Sequence, residues 1–349
     1  MKKFFLAVVS LMVIVGCNPK TSDLNKVGVI LPQTGDLSFL GEFMSNSLLL
    51  DSTAVEYYIE DCSGNPKDAA LAAQKLISVN DVDYIVSSLS FLSEAINPIC
   101  KQNKVPHFIL SFSPVLTNEN NVIQPFVNSY QEAEAFINYI QGSNVKSVVF
   151  LRHIETDADY VFEHYTKHKL DELGIKVNSI QFDNNTVRDF KSEVLKVKQI
   201  NPDLLVIQAL AYNIPSLISS LNAYNVDIPL LGDLNFLDIQ DDELKKSLNG
   251  IPFVGLNYVL SENYSHFTRS YTKMYSKQPF ALGVFAYDLG HYLSALPHGL
   301  VDREEILTIL NTFDDISLVN SEKHFNDSAF FDLKCGIYTF HGTSYVEYE

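Results

Sequence analysis

Near-continuous apolar runs alternate with segments of helical period along most of this chain. The runs Val27–Leu31, Val55–Ile59, Val82–Val86, His107–Leu110, Ser147–Leu151, Lys176–Ile180, Leu204–Ile207 and Pro229–Leu231 are read as strands. Strands apolar on both faces belong to parallel sheets covered by helices. Between two of them, Lys67–Val79 places Ala69, Ala72, Ala73, Leu76 and Ile77 on one helical face. Asn65 can cap that helix, Pro66 suits its first position and Asp68 sits in its first turn. Asp157–Leu173, Phe190–Ile200 and Ile214–Tyr224 read the same way. The alternation predicts a doubly wound α/β fold. After Val259 come three helical segments, Tyr264–Tyr275, Phe280–Leu296 and Arg303–Leu310, with no strand clearly between them. Ala329–Glu349 turns strand-like again, with Gly336 and Gly342 as turn residues. This order predicts two Rossmann-like lobes, with the chain crossing between them.

The N-terminus stands outside that pattern. Lys2 and Lys3 precede an apolar core from Phe4 to Val15. At ~1.5 Å per helical residue this core spans roughly 18 Å, short of a ~30 Å hydrocarbon layer. It has the length of a signal-peptide core. Ile14-Val15-Gly16-Cys17 then resembles the lipobox of bacterial lipoproteins, which implies cleavage before Cys17 and lipid on its thiol. Residues 1–16 are read as signal peptide and 17–25 as a lipidated tether. Two or more acyl chains, at ~0.8 kcal/mol per buried methylene, would hold the protein on a membrane at the periplasmic or outer face of the cell.

Charge and cysteine usage narrow the partners. Loss of residues 1–16 removes two of the 25 basic residues against 42 acidic ones, leaving a net charge of −19. A chain this acidic repels nucleic acid, whose binding depends on neutralising phosphates. Cys62, Cys100 and Cys335 remain. Export permits one disulfide among them, with a connectivity that spacing does not give; the simpler reading is three free, buried or half-buried thiols.

Several strings, in order, resemble the type I periplasmic binding proteins of the leucine/isoleucine/valine-binding class, the substrate-binding lipoproteins of ABC importers. Lys26-Val-Gly-Val-Ile-Leu-Pro-Gln-Thr-Gly35 resembles their opening strand and turn, with Gly41 where the first helix opens. Glu60-Asp61-Cys62-Ser63-Gly64-Asn65-Pro66 resembles the acidic turn after strand two. Asn97-Pro98, Val105-Pro106, Tyr287-Asp288 and Phe325-Asn326-Asp327 fall where later family features do. The resemblance implies two α/β lobes joined by three crossovers, lobe 1 being 26–128 with 258–318 and lobe 2 being 129–257 with 319–349. It implies a small-molecule ligand between them, delivered to ABC permease subunits, and no cofactor.

Carried over residue by residue, the family's ligand positions are Phe39 and Leu40 after strand one, Ser90 and Phe91 after strand three, and Ser111, Phe112 and Ser113 after strand four. In lobe 2 they are Tyr160, Tyr212 and Asp233. Hydroxyls on Ser90, Ser111 and Ser113 suit a carboxylate, and tyrosines stack or hydrogen-bond. Three departures stand out. Phe91 replaces a hydroxyl residue, Leu234 falls where an acid for a ligand ammonium is common (Asp233 is its neighbour), and Val161 replaces a glycine. A buried ammonium without a carboxylate costs several kcal/mol, so the reading favours a less polar or differently charged solute than a plain amino acid.

Other chemistry is thin. His164 and His168 share a helical face, but Tyr165 stands where a metalloprotease has glutamate, so they are read as solvated histidines. Asp241-Asp242-Glu243 reads as a charged first turn. Neither a nucleophile elbow nor a phosphate loop nor a dinucleotide fingerprint is present, and no enzyme is expected. The alternative function is an envelope sensory or regulatory module of the same fold, acting on a protein partner.

Overall fold

The computed structural model describes residues 24–348, apart from 53, 155, 184–186, 188, 314–317, 321–324, 327, 328 and 332. The signal-peptide segment and Cys17 therefore lie outside the described residues, as does Asp327.

The first sheet is built from β1 (Asn25–Leu31), β2 (Val55–Asp61), β3 (Tyr84–Ser88), β4 (His107–Leu110) and the two-residue β5 (Val122–Ile123), all parallel, in the order β2-β1-β3-β4-β5. Side chains alternate across β1: Val27, Val29 and Leu31 join one apolar layer, and Ile30 joins the other. The second layer is filled by α2 (Pro66–Ser78) and α3 (Ser90–Asn103), through Ala69, Ala72, Ala73, Leu76, Leu92 and Ile96. Asn65 caps α2 as its position suggests, accepting the N–H groups of Lys67 and Asp68 at 2.8 and 3.4 Å. α1 (Ser38–Leu49) covers the first face together with α11 (Val284–Ala295).

The second sheet has the order β12-β11-β10-β9-β8-β6-β7. Its parallel part is β6 (Ser147–His153), β7 (Lys176–Phe182), β8 (Leu204–Gln208), β9 (Leu230–Gly232) and β10 (Phe253–Leu256). β11 (Cys335–His341) and β12 (Ser344–Glu347) add antiparallel edges. Its helices are α4 (Ser129–Gly142), α5 (Thr156–Val161), α6 (Lys167–Glu172), α7 (Lys191–Ile200), α8 (Ile214–Ala223) and α9 (Asp242–Ser247). A π-helical turn, Phe162–Thr166, separates α5 from α6, so the segment expected as one helix is broken. α10 (Glu262–Tyr275) and α12 (Arg303–Thr312) complete the helical block. No helix among the described residues is long and apolar enough to cross a membrane.

Three connections pass between the two sheets: 124–128, 257–261 and 313–334. The first and third are tied together. The Gln124 N–H donates to the Ala329 carbonyl at 2.8 Å, and the Gln124 side-chain amide donates to the carbonyls of Ser111 and Ser113. Asp288, fully buried in α11, accepts the N–H groups of Val319 and Asn320, each at 2.9 Å. Asp288→Ala strands both donors and is expected to destabilise the chain by about 3 kcal/mol, with Asp288→Asn losing less; urea unfolding of both variants checks this.

One glycine expectation changes. Gly342 sits in the turn between β11 and β12 at φ +66°, but Gly336 lies inside β11 opposite Gly255. Both lack a side chain because the Tyr338 ring lies over them: a Cβ at Gly255 would stand 2.5 Å from that ring and one at Gly336 3.1 Å. Cys62, Cys100 and Cys335 are free thiols, the first two fully buried.

Candidate functional site

In α/β sheets ligands bind beyond the carboxyl ends of the strands, and here those ends from both sheets face one cleft. Its first wall is set by the turn after β1. Asp61 accepts the Gln33 N–H at 2.8 Å, the Thr34 hydroxyl at 2.6 Å and the Ser63 N–H at 2.8 Å, which ties the first turn to the acidic turn after β2. Burial pushes the Asp61 carboxyl up, but these hydrogen bonds together hold it below its ordinary range. Gly35 turns the chain at φ +82°, and Gly41 lets α1 press against the Pro32 carbonyl. α1 therefore presents Phe39 and Leu40 to the cleft.

Opposite stand the segments after β8 and β9. The Phe39 and Tyr212 rings meet edge to face with centroids 6.4 Å apart, so one aromatic pair bridges the two sheets' loops. Beside this pair lies a cavity of about 490 Å³. Phe39, Leu40 and Phe280 line it from one side, and Leu210–Tyr212, Pro215, Asn235, Asp238–Asp241 and Leu244 from the other. Asp238 ends a 3-10 helix, Leu234–Asp238, and accepts the Ala281 N–H, another tie across the cleft. Burial raises the Asp238 carboxyl to about 7, against the lowering pull of that N–H. Asp241 caps α9, accepting the N–H groups of Glu243 and Leu244 at 2.8 and 3.1 Å.

A second, polar chamber of about 40 Å³ adjoins the first and shares Asn235 with it. At ~10–15 Å³ per water it holds a few waters at most. Phe112, Ser129, Glu132, Arg152, His153, Gln208 and Asp233 line the rest. Asp233 is buried and accepts both the backbone and side-chain N–H of Asn235, at 3.1 and 2.7 Å. Burial first, and the neighbouring Glu132 second, push its carboxyl well above the usual range. Glu132 accepts the Leu234 N–H at 3.1 Å. Arg152 pairs with Asp159 at 2.7 Å, donates to Ser179 at 2.9 Å and lies 3.9 Å above the Phe162 ring.

The residues singled out in the sequence therefore separate into groups. Phe39, Leu40 and Tyr212 line the large cavity, and Phe112 and Asp233 the polar chamber. Ser90, Ser111 and Ser113 share a third cavity of about 10 Å³ with Gln124. Ser111 and Ser113 flank Phe112 in the bend that follows β4, and they line a different cavity from it. Phe91 and Tyr160 are largely exposed and line none of these cavities; Tyr160 stacks on His164 at 4.4 Å. Leu234 and Val161 are core residues. Asp238, Asn235, Glu132, His153 and Gln208 were not anticipated. Glu132 reads in sequence as a first-turn acid beside the capping box of Asn128 and Gln131, and Asp238 sits in an apolar string with no periodic signal. Among the described residues no group of three His, Cys, Asp or Glu could hold a metal ion.

Comparison with known proteins gives the class. The family model described as periplasmic binding protein matches residues 25–328, and the chain belongs to that family. It is an extracytoplasmic, non-enzymatic family of ligand-binding proteins. Among solved structures, the leucine-binding protein LivK of Thermotoga maritima superposes with a TM-score of 0.74 at 22% identity, covering 93% of this chain and 97% of that one. A solute-binding protein of an ABC transporter from Rhodopseudomonas palustris, in complex with 3,4-dihydroxybenzoic acid, gives 0.78 at 19% identity over 93% and 95%. LivJ of Streptococcus pneumoniae, a branched-chain amino acid transporter substrate-binding protein in complex with isoleucine, gives 0.72 at 17% over 92% and 97%. These likenesses establish the type I periplasmic binding protein fold. Curated protein sequences give no match.

Proposed function

We propose that the chain is a substrate-binding lipoprotein of an ABC importer, anchored through Cys17, that captures a small solute between its lobes and hands it to permease subunits. The observation that carries this reading is the aromatic bridge of Phe39 and Tyr212 beside a cavity of about 490 Å³. That volume lies in the ~300–1,000 Å³ range of small-molecule sites. A solute there touches loops from both sheets at once, so its binding favours the closed arrangement over the open one. Lobe 1 is assigned 26–128 with 258–318 and lobe 2 129–257 with 319–349. Within the cleft, Phe39, Leu40 and Tyr212 form the apolar wall, and Phe112 and Asp233 the polar end. Ser90, Ser111 and Ser113 support the loops from behind, and Phe91 and Tyr160 lie on the rim. The ligand-bound transporter proteins of Rhodopseudomonas palustris and Streptococcus pneumoniae support the reading.

Two measurements test it. Native mass spectrometry of the protein purified from its own host is expected to show a retained small molecule, and a consistently empty cleft counts against capture. Cys17→Ser is expected to move the protein from the membrane to the soluble fraction; a variant that stays with the membrane rules out this anchor.

A further inference from the structure

The charges lining the large cavity have one sign. Asp238 and Asp241 line the large cavity, and no Lys, Arg or His does. The adjoining chamber adds Glu132 and Asp233; of its two basic residues, Arg152 is already held by Asp159 and the Phe162 ring, and His153 lies with Nδ1 3.2 Å from the Gln208 carbonyl oxygen. Anion-binding alternatives are also taken up. Ser90, Ser111 and Ser113 line a separate small cavity with Gln124, and Ser129 in the polar chamber has the carboxyl group of Glu132 in the same lining. α8 begins with Pro215 at its second position, which has no N–H to offer, and the first-turn N–H groups of α9 already bind Asp241. A carboxylate entering this space would lose its water and meet no counter-charge.

An ammonium meets the reverse. Phe39, Tyr212 and Phe280 turn aromatic rings to the cavity, and ring faces attract cations. Asp238 lies at its edge with one oxygen held by the Ala281 N–H. The groups facing Asp238 are the phenols of Tyr258, Tyr264 and Tyr345, which carry no positive charge to compete. Resting on the capture reading above, we infer that the large cavity takes a hydrophobic cation. Its occupant is a small amine whose apolar body lies against Phe39, Leu40 and Tyr212, and whose ammonium is received by Asp238. The site rejects the carboxylate-bearing counterpart.

The test is calorimetry on the full-length chain in lipid nanodiscs at pH 8, with 2-phenylethylamine and isoamylamine set against benzoate, isoleucine and neutral benzyl alcohol. The amines are expected to bind, and benzoate and isoleucine to give no heat. Asp238→Asn is expected to weaken amine binding roughly 10- to 100-fold, the usual loss for one charged hydrogen bond. Glu172→Gln, at an exposed acid on α6 that lines none of these cavities, is expected to leave amine binding near that of the parent. Lowering the pH from 8 to 6 is expected to weaken amine binding further, because protonation of Asp238 removes the counter-charge. Tighter binding of benzoate or isoleucine than of the amines overturns the inference while leaving solute capture standing. So does amine binding that survives Asp238→Asn or is lost in Glu172→Gln, and so does silence from all five probes. Capture itself fails separately, on an empty cleft in protein taken from the host.

Discussion

Asp238→Asn is expected to make the protein more stable at pH 8 and to change little at pH 4.5. The carboxyl is 8% exposed, and burial raises it from its ordinary 3.8 to about 7. Between those values the folded chain binds a proton that the unfolded chain has released, so stability falls as pH rises through this window. Below pH ~4 both states are protonated and nothing is lost. Above ~7 the full penalty applies, and a shift of ~3 pKa units corresponds to roughly 4 kcal/mol as an upper figure. Asparagine keeps an oxygen to accept the Ala281 N–H and never ionises. Urea unfolding of the parent and the variant at pH 4.5, 6 and 8 isolates this residue, because Asp233 titrates in both. A difference that does not grow with pH would show that the carboxylate is relieved by water or by a neighbour. A group that destabilises the empty protein yet sits at a binding cavity follows the common opposition between stability and function.

The other large effect belongs to Gly41. A Cβ there would stand 2.0 Å from the Pro32 carbonyl oxygen and 3.2 Å from the Gln33 nitrogen, both backbone atoms that cannot rotate away. Gly41→Ala must therefore displace α1 from the turn after β1. Overpacking of this kind costs roughly 3 kcal/mol or more when the neighbours cannot yield. Since Phe39 and Leu40 ride on the same helical turn, solute affinity should fall together with the melting temperature. Gly142→Ala serves as the control: at the end of α4 its Cβ meets nothing within 4 Å, so it should be neutral or slightly stabilising. Equal melting temperatures for the two variants would mean that α1 accommodates the methyl group.

The fold was legible because most of its strands are buried on both faces and several of its helices, α2, α4 and α12 among them, carry ordinary caps. Asn65, Pro66 and Asp68 mark the start of α2 as they should, and eight apolar runs correspond to strands. What escaped was short or held from outside. β5 has two residues, and β10 is a four-residue strand with Gly255 in its middle, kept in place by the Tyr338 ring and the returning β11. Gly336 looked like a turn for the same reason: a glycine made necessary by a distant aromatic ring has no local signature. The cleft residues illustrate the same limit. Phe39 and Tyr212 can be placed by strand order alone, since each follows a strand's carboxyl end. Asp238 cannot, because its significance arises from burial against α10, β12 and the Ala281 turn, all far away in sequence. A bend decides the serines. The chain turns at Phe112, just past β4, so Ser111 and Ser113 line one cavity and Phe112 another.

The position of Asn25 bears on how such a clamp would hang from a membrane. It opens β1, and its side-chain amide is fastened to the carbonyls of Leu293 and Leu296 at 3.0 and 2.6 Å. The cleft lies at the far end of that strand, about 20 Å away at ~3.3 Å per residue. With lipid on Cys17, the eight peptide links to Asn25 reach at most about 29 Å. Such a leash would attach at the end of β1 opposite the cleft. Delivery to a membrane partner would then require the body to turn over on a leash of that length. Shortening residues 18–24 would be expected to impair transfer before it impaired capture.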